Sequence, residues 1–162
     1  MDVYTKRKAV LLLLVLAGFV CYALPFGRVS FIITLEFSGW EYLSLLFRYS
    51  MYEDILNFSI LLAVILLAVE AILLVRVDLR FLESKHKYNG SSSKYIALLP
   101  GVGAALLTAW CIGFMSGEDS MFGKIGFGLY LTIAVYIINA AAVYLVLRRP
   151  KQVGFSVHTK QK

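Results

Sequence analysis

The stretch from Asn57 to Val75, NFSILLAVILLAVEAILLV, constrains this chain more than any other. It is apolar throughout except for one carboxylate, Glu70, and it ends at Arg76, where a basic connection begins. About 20 predominantly apolar residues are needed for a helix to cross a bilayer, and this stretch is close to that length. Three further segments resemble it, so the pattern predicts spans at 9–26, 55–75, 95–115 and 125–147. The expected fold class is an all-α membrane protein, a four-transmembrane-helix bundle in a single membrane domain.

Composition supports that reading. The 162 residues are 60% hydrophobic and 16% charged, with a mean hydropathy of +0.77. Soluble domains are roughly 45–50% apolar. The net charge of +6 flanks the apolar runs and forms no separate basic domain. Nucleic acid is therefore excluded as a partner, and the lipid bilayer with its anionic headgroups is the natural one.

The first apolar run follows Lys6, Arg7 and Lys8, which gives it the look of a secretory signal peptide. A weak cleavage site falls after Ala23, and Phe19 and Val20 before Cys21 rule out a lipobox. The run is read as the first span, ended by Pro25.

The connection 27–54 is expected to form a short cap. Val29, Phe31, Ile33, Leu35 and Phe37 alternate with polar residues, broken only by Ile32, which is the period-two mark of a strand. Ser38-Gly39 signals a turn. From Glu41 to Tyr52 the period becomes helical, with Tyr42, Leu45, Leu46 and Tyr49 expected on one face and Glu41, Ser44 and Arg48 on the other. A lone strand leaves its edges open, so a hairpin, a second copy or a partner must pair with it. Phe37, Trp40, Tyr42 and Tyr49 are the candidate external recognition residues, and the same surface could instead cover the bundle.

Thirteen of the sixteen lysines and arginines lie in the N-terminal segment, the 76–94 connection and the tail 148–162. The positive-inside rule then predicts both termini and the 76–94 loop in the cytoplasm of a multi-pass cell-membrane protein, with 27–54 outside. Glu53 and Asp54 complement the start of the second helix dipole. Asn89-Gly90-Ser91-Ser92-Ser93 reads as a flexible turn.

Glu70 is the lone charge inside a span, and an intramembrane carboxylate is a candidate functional group by default. It stands six residues before Arg76, roughly 9 Å from the boundary at 1.5 Å per residue. Asn139 stands nine residues before Arg148 in the fourth span. Spans two and four run in the same direction, so the two groups share a depth and would hydrogen bond if their helices are neighbours. Gly101, Gly103, Gly113, Gly117, Gly126 and Gly128 are candidate helix-packing positions. Pro100 predicts a kink. Tyr130, Tyr136 and Tyr144 lie near one face of span four and read as packing. Cys21 and Cys111 form no C-x-x-C; two free packed thiols are the plainer reading, and a disulfide between outer helix ends is conceivable. His86, between Lys85 and Lys87, and His158 have no metal-ligand spacing, so no metal or cofactor is expected.

Leu24-Pro25-Phe26 after the first span, an apolar strand and the turn Phe37-Ser38-Gly39-Trp40 resemble small uncharacterised bacterial four-span, tetraspan-like membrane proteins. The resemblance covers the first third of the chain. It implies the four-span plan and carries no catalytic residues. The claudin-like ectodomain signature, the external cysteine pairs of the disulfide-forming quinone reductases and the intramembrane aspartates of the lipoprotein signal peptidases are all missing. The leading expectation is a non-enzymatic protein acting by contact within the membrane, as an accessory subunit, regulator or immunity-type protein, with a membrane-protein partner or with itself. A transporter or channel subunit using Glu70 and Asn139 is the alternative, and an intramembrane enzyme the third.

Overall fold

The structure, a computed structural model, describes residues 3–30, 34–49, 55–76, 91–116 and 123–147. Five helices and three short strands follow in the order α1 (Val3–Cys21), β1 (Pro25–Ser30), β2 (Thr34–Ser38), α2 (Gly39–Arg48), α3 (Ile55–Arg76), α4 (Ser91–Ser116), β3 (Gly123–Ile125) and α5 (Phe127–Leu147). Three of the helices hold segments long and apolar enough to cross a membrane: Asn57–Arg76, Tyr95–Met115 and Phe127–Val146. α1 falls short of that description, because Lys6, Arg7 and Lys8 lie inside its first turns.

α1, α3, α4 and α5 form the bundle. α1 packs on α3 and α5, and α4 packs on the same two, so α3 and α5 face each other across the middle. Each helix buries one narrow stripe. On α3 it is Ile60, Ala63, Leu67, Glu70 and Leu74; on α5 it is Leu129, Thr132, Tyr136, Asn139 and Val143. α4 contributes Ile96, Pro100, Gly103, Leu107 and Trp110, and α1 contributes Leu11, Val15 and Gly18, continued by Tyr22 just past its end. All four stripes alternate steps of three and four residues, the rhythm of a seam in which side chains of one helix fill gaps in the next. Large apolar side chains cover the outside as well, among them Leu13, Ile72, Leu98, Ile112, Ile137 and Leu145. A surface of that kind suits lipid and would be a liability in water.

Several helix bounds differ from expectation, among them α2, which runs Gly39–Arg48 and not Glu41 to Tyr52. α1 stops at Cys21 rather than Phe26, because Pro25 opens β1. Ser91–Ser93 begin α4 instead of forming a turn, and Ile125 is in β3 instead of span four. α4 continues through Pro100.

The cap is a three-stranded antiparallel sheet in the order β2-β1-β3, with α2 beside it. The continuous strand expected across 29–37 is a hairpin, pairing Ser30 with Thr34, Val29 with Leu35 and Arg28 with Glu36; Phe31 and Ile33 lie outside the described residues. β3, from the α4–α5 connection, covers the other edge of β1, pairing Arg28 with Lys124. A bulge between Pro25 and Gly27 leaves Phe26 out of the ladder, with its side chain fully buried. A single extra residue bends a strand in this way.

α2 starts on a reciprocal cap. The Ser38 hydroxyl accepts from the Glu41 amide (3.2 Å), and Glu41 Oε2 accepts from the Ser38 amide (2.7 Å). This satisfies two backbone donors that a helix start leaves open. The buried face of α2 is Gly39, Leu43 and Leu46, with Tyr42 half-buried. Leu45 and Tyr49 were expected on it but are exposed, as they flank that face instead.

Candidate functional site

Among the described residues the bundle core holds four buried polar ones, Ser59, Glu70, Thr132 and Asn139, amid apolar packing. Glu70 and Asn139 point at each other from α3 and α5. Asn139 Nδ2 donates to both carboxyl oxygens, at 3.0 Å to Oε1 and 2.9 Å to Oε2. Glu70 is 0% exposed and Asn139 1%. The two groups share a depth, as the helical rise predicts, but their helices are diagonal, not side by side. Two long side chains bridge the gap that neighbouring helices would close by packing. Asn139 Oδ1 is buried and has no hydrogen-bond partner.

One helical turn before Asn139, Tyr136 makes a second bridge across the same diagonal. Its hydroxyl donates to the Ala63 carbonyl at 3.0 Å and lies 3.4 Å from the Tyr22 hydroxyl. A hydroxyl has one proton to give, so with Tyr136 donating to Ala63 the donor of the second bond is Tyr22. The order is Tyr22 to Tyr136 to the α3 backbone. Gly103 on α4 makes room for this ring: a Cβ there would stand 2.4 Å from Tyr136 Cε1. Thr132, a turn further along, satisfies itself on the Gly128 carbonyl at 2.7 Å.

Tyr22 is the member of this site that sequence reasoning passed over, and Tyr136, read there as packing, also carries hydrogen bonds. Tyr130 and Tyr144 are 52% and 43% exposed, while Tyr136 is fully buried, so the three tyrosines do not share a face. The readable signal was position: Thr132, Tyr136 and Asn139 fall on one three-four stripe.

Among the candidate recognition residues, Phe37 and Tyr42 are half-buried, whereas Trp40 and Tyr49 are exposed. Phe37 stacks on Tyr42 with centroids 5.6 Å apart, and Tyr42 meets Trp110 edge-on at 5.3 Å. The Tyr42 hydroxyl donates to Asn57 Oδ1, tying α2 to the start of α3. Trp40 lies parallel to Phe19 at 6.4 Å and tilts against Tyr22 at 5.5 Å. Tyr49 is exposed beneath the Arg48 guanidinium. Leu35 and Phe47 join it on the exposed surface of the cap.

The glycines divide by what they touch. Gly103 receives Tyr136, whereas Gly126 and Gly128 admit the chain at Pro25, whose carbonyl oxygen would lie 2.2 Å and 2.6 Å from an added Cβ. Gly101, expected at a packing seam, has nothing within 4 Å of such a Cβ. Gly113 is half-buried, and Gly117 lies outside the described residues. Gly18, Gly27 and Gly39, not named as packing positions beforehand, lie under Leu67, Phe37 and the rings of Tyr22 and Phe26.

Cys21 and Cys111 are free buried thiols. Among the described residues no group of three or more His, Cys, Asp or Glu could hold a metal ion. His86, His158, Glu53, Asp54, the 77–90 connection and the tail lie outside the described residues. The arrangement can hold one exchangeable proton on Glu70 and can lock α3 to α5. Comparison with family models, curated proteins and solved structures finds no match to this chain.

Proposed function

We propose that the chain is a four-span cell-membrane protein that acts by contact with another membrane protein, as an accessory subunit, regulator or immunity-type protein. The carrying observation is the seal on its interior. The one carboxylate inside a described span is wholly covered and bonded to Asn139. What it offers its surroundings is surface: apolar helix flanks and a cap with Leu35, Phe47 and Tyr49 exposed. Full burial of Glu70 also weighs against a transport path through Glu70 and Asn139.

α1 is the fourth crossing in this reading. Its 19 residues rise about 28 Å, close to the hydrocarbon thickness of about 30 Å. Val10, Leu13, Leu16 and Val20 form an exposed apolar stripe on it. Lys8 Nζ donates to the Val75 carbonyl at 2.6 Å, which levels its basic start with the end of α3. The excess of lysine and arginine at that end supports a cytoplasmic placement, with the cap outside.

Crosslinking of the full chain in its native membranes, followed by mild-detergent capture, tests the reading. One stoichiometric partner is expected, lost on Phe47→Lys or Leu35→Lys. Recovery of the chain alone, together with ion flux in vesicles that depends on Glu70, would replace contact with transport. Side-specific labelling of a cysteine placed in the 76–94 loop checks the orientation, and labelling from outside would reverse it.

A further inference from the structure

The Glu70–Asn139 pair is short of hydrogens, not of heavy atoms. A carboxylate can accept about four hydrogen bonds. Here both oxygens share the one amide nitrogen of Asn139. At the same time Asn139 Oδ1 is buried with nothing to accept. Glu70 has no ion-pair partner among the described residues, and the buried polar and charged residues include no lysine, arginine or histidine. From α5 it is faced by Asn139 and Tyr136, and the Tyr136 proton is committed to Ala63. The buried stripes of α1 and α4 bring no charged side chain. Lys8, on α1, reaches the Val75 carbonyl at the end of α3.

A bare carboxylate and an orphaned carbonyl, sealed together away from water, are each costly. One hydrogen removes both deficits. We infer that Glu70 and Asn139 form an occluded binding site for a single proton, carried by the Glu70 carboxyl and shared with the Asn139 amide. Rotation of the Asn139 amide about Cβ–Cγ lets Oδ1 accept from the new Glu70 O–H while Nδ2 keeps donating to the other carboxyl oxygen. The result is a closed acid–amide ring in which the added proton is donated to Oδ1 and one Nδ2 hydrogen to the other carboxyl oxygen. No counter-cation is then required, and the charge count of the core is zero. Because Glu70 is wholly covered, exchange of this proton requires the bundle to open. The inference does not depend on the contact reading: it concerns the pair alone.

Infrared spectroscopy of the full chain in lipid vesicles at near-neutral pH reads the proton directly. Solvent-exposed carboxyl groups are ionised there, so a carboxylic-acid C=O band reports a protonated buried acid. The expected result is one such band in the wild-type protein, lost in Glu70→Gln and retained but shifted in Asn139→Leu, where the amide donor is missing. Absence of the band in the wild type overturns the inference, as does its persistence in Glu70→Gln. A band that Asn139→Leu leaves unmoved overturns the shared pair. Loss of the wild-type band when sodium replaces potassium would make the site one for a metal cation, which also overturns it. Absence of the wild-type band overturns the inference even if a variant fails to fold.

Discussion

The two ends of this bundle are held together by different chemistry. At the cap end, rings do the work: Phe19, Tyr22, Phe26, Trp40, Phe37, Tyr42, Trp110 and Phe114 run as an almost continuous aromatic layer between helices and sheet. Glycines under them let backbone and ring approach closely. At the other end one amide and one carboxyl span the diagonal between α3 and α5. The difference follows from surroundings. Near the interface, rings with polar edges can satisfy both lipid and water. Deep among apolar helices no hydrophobic drive sorts one helix from another, and a hydrogen bond specifies which pair must meet.

Breaking the cap end at its tightest point should have the largest effect. Gly126→Val puts a side chain onto the Pro25 backbone oxygen, which no rotamer change can relieve. We expect a loss of about 3 kcal/mol or more, seen as failure to hold the folded state in reversible denaturant unfolding. Breaking the polar end comes next. Asn139→Leu leaves Glu70 buried without its donor and should cost about 2 kcal/mol, while the double variant with Glu70→Leu recovers most of that, since both partners are then apolar. A double variant no better than the single would show that the pair is not a self-contained unit.

Tyr136 connects the two regimes, as a ring with its hydroxyl on the α3 backbone. Tyr136→Phe keeps the ring and removes the bond, for about 1 kcal/mol; a much larger cost would assign the polar end more of the stability than the rings. Ser38→Ala removes the α2 cap and should cost about 1 kcal/mol, measured by the same unfolding. The Ser38 amide and hydroxyl also hold the Glu41 carboxyl below its usual range. Its contribution is therefore present above the ordinary carboxylate pKa and is lost as pH falls through the lowered folded value, a loss that Glu41→Gln should abolish in an acid titration. The smallest effect is expected from Glu36→Gln. It breaks a cross-strand ion pair whose side chains are 53% and 47% exposed, and such pairs contribute about 0–1 kcal/mol.

Much of this architecture was legible because helices in lipid have only one way to satisfy their backbone. The Asn57–Val75 run and the break between strand and helix at Ser38-Gly39 could be read from residue type alone. The shared depth of Glu70 and Asn139 followed from the fixed rise of a helix. The buried stripes were hidden by the same composition that revealed the spans: when inner and outer faces are both apolar, hydropathy carries no period. The inner face was marked by exceptions instead, by Glu70, Thr132, Asn139, Gly18 and Gly103, and a reading of polarity and size would have found it. α2 misled for a related reason. Apolar residues spread over most of its circumference, so its contact face could not be chosen without its neighbours.

The sequence by itself determined three long apolar helices and the polar pair at a common depth. These depend on residue type and on local geometry along one chain. Only the tertiary structure decided that α3 and α5 lie on a diagonal, that β3 closes the second edge of β1, and that Gly126 and Gly128 admit Pro25 while Gly101 admits nothing. Those outcomes depend on which surfaces meet, and between apolar helices that choice rests on shape and a few hydrogen bonds, which only the packed bundle reveals.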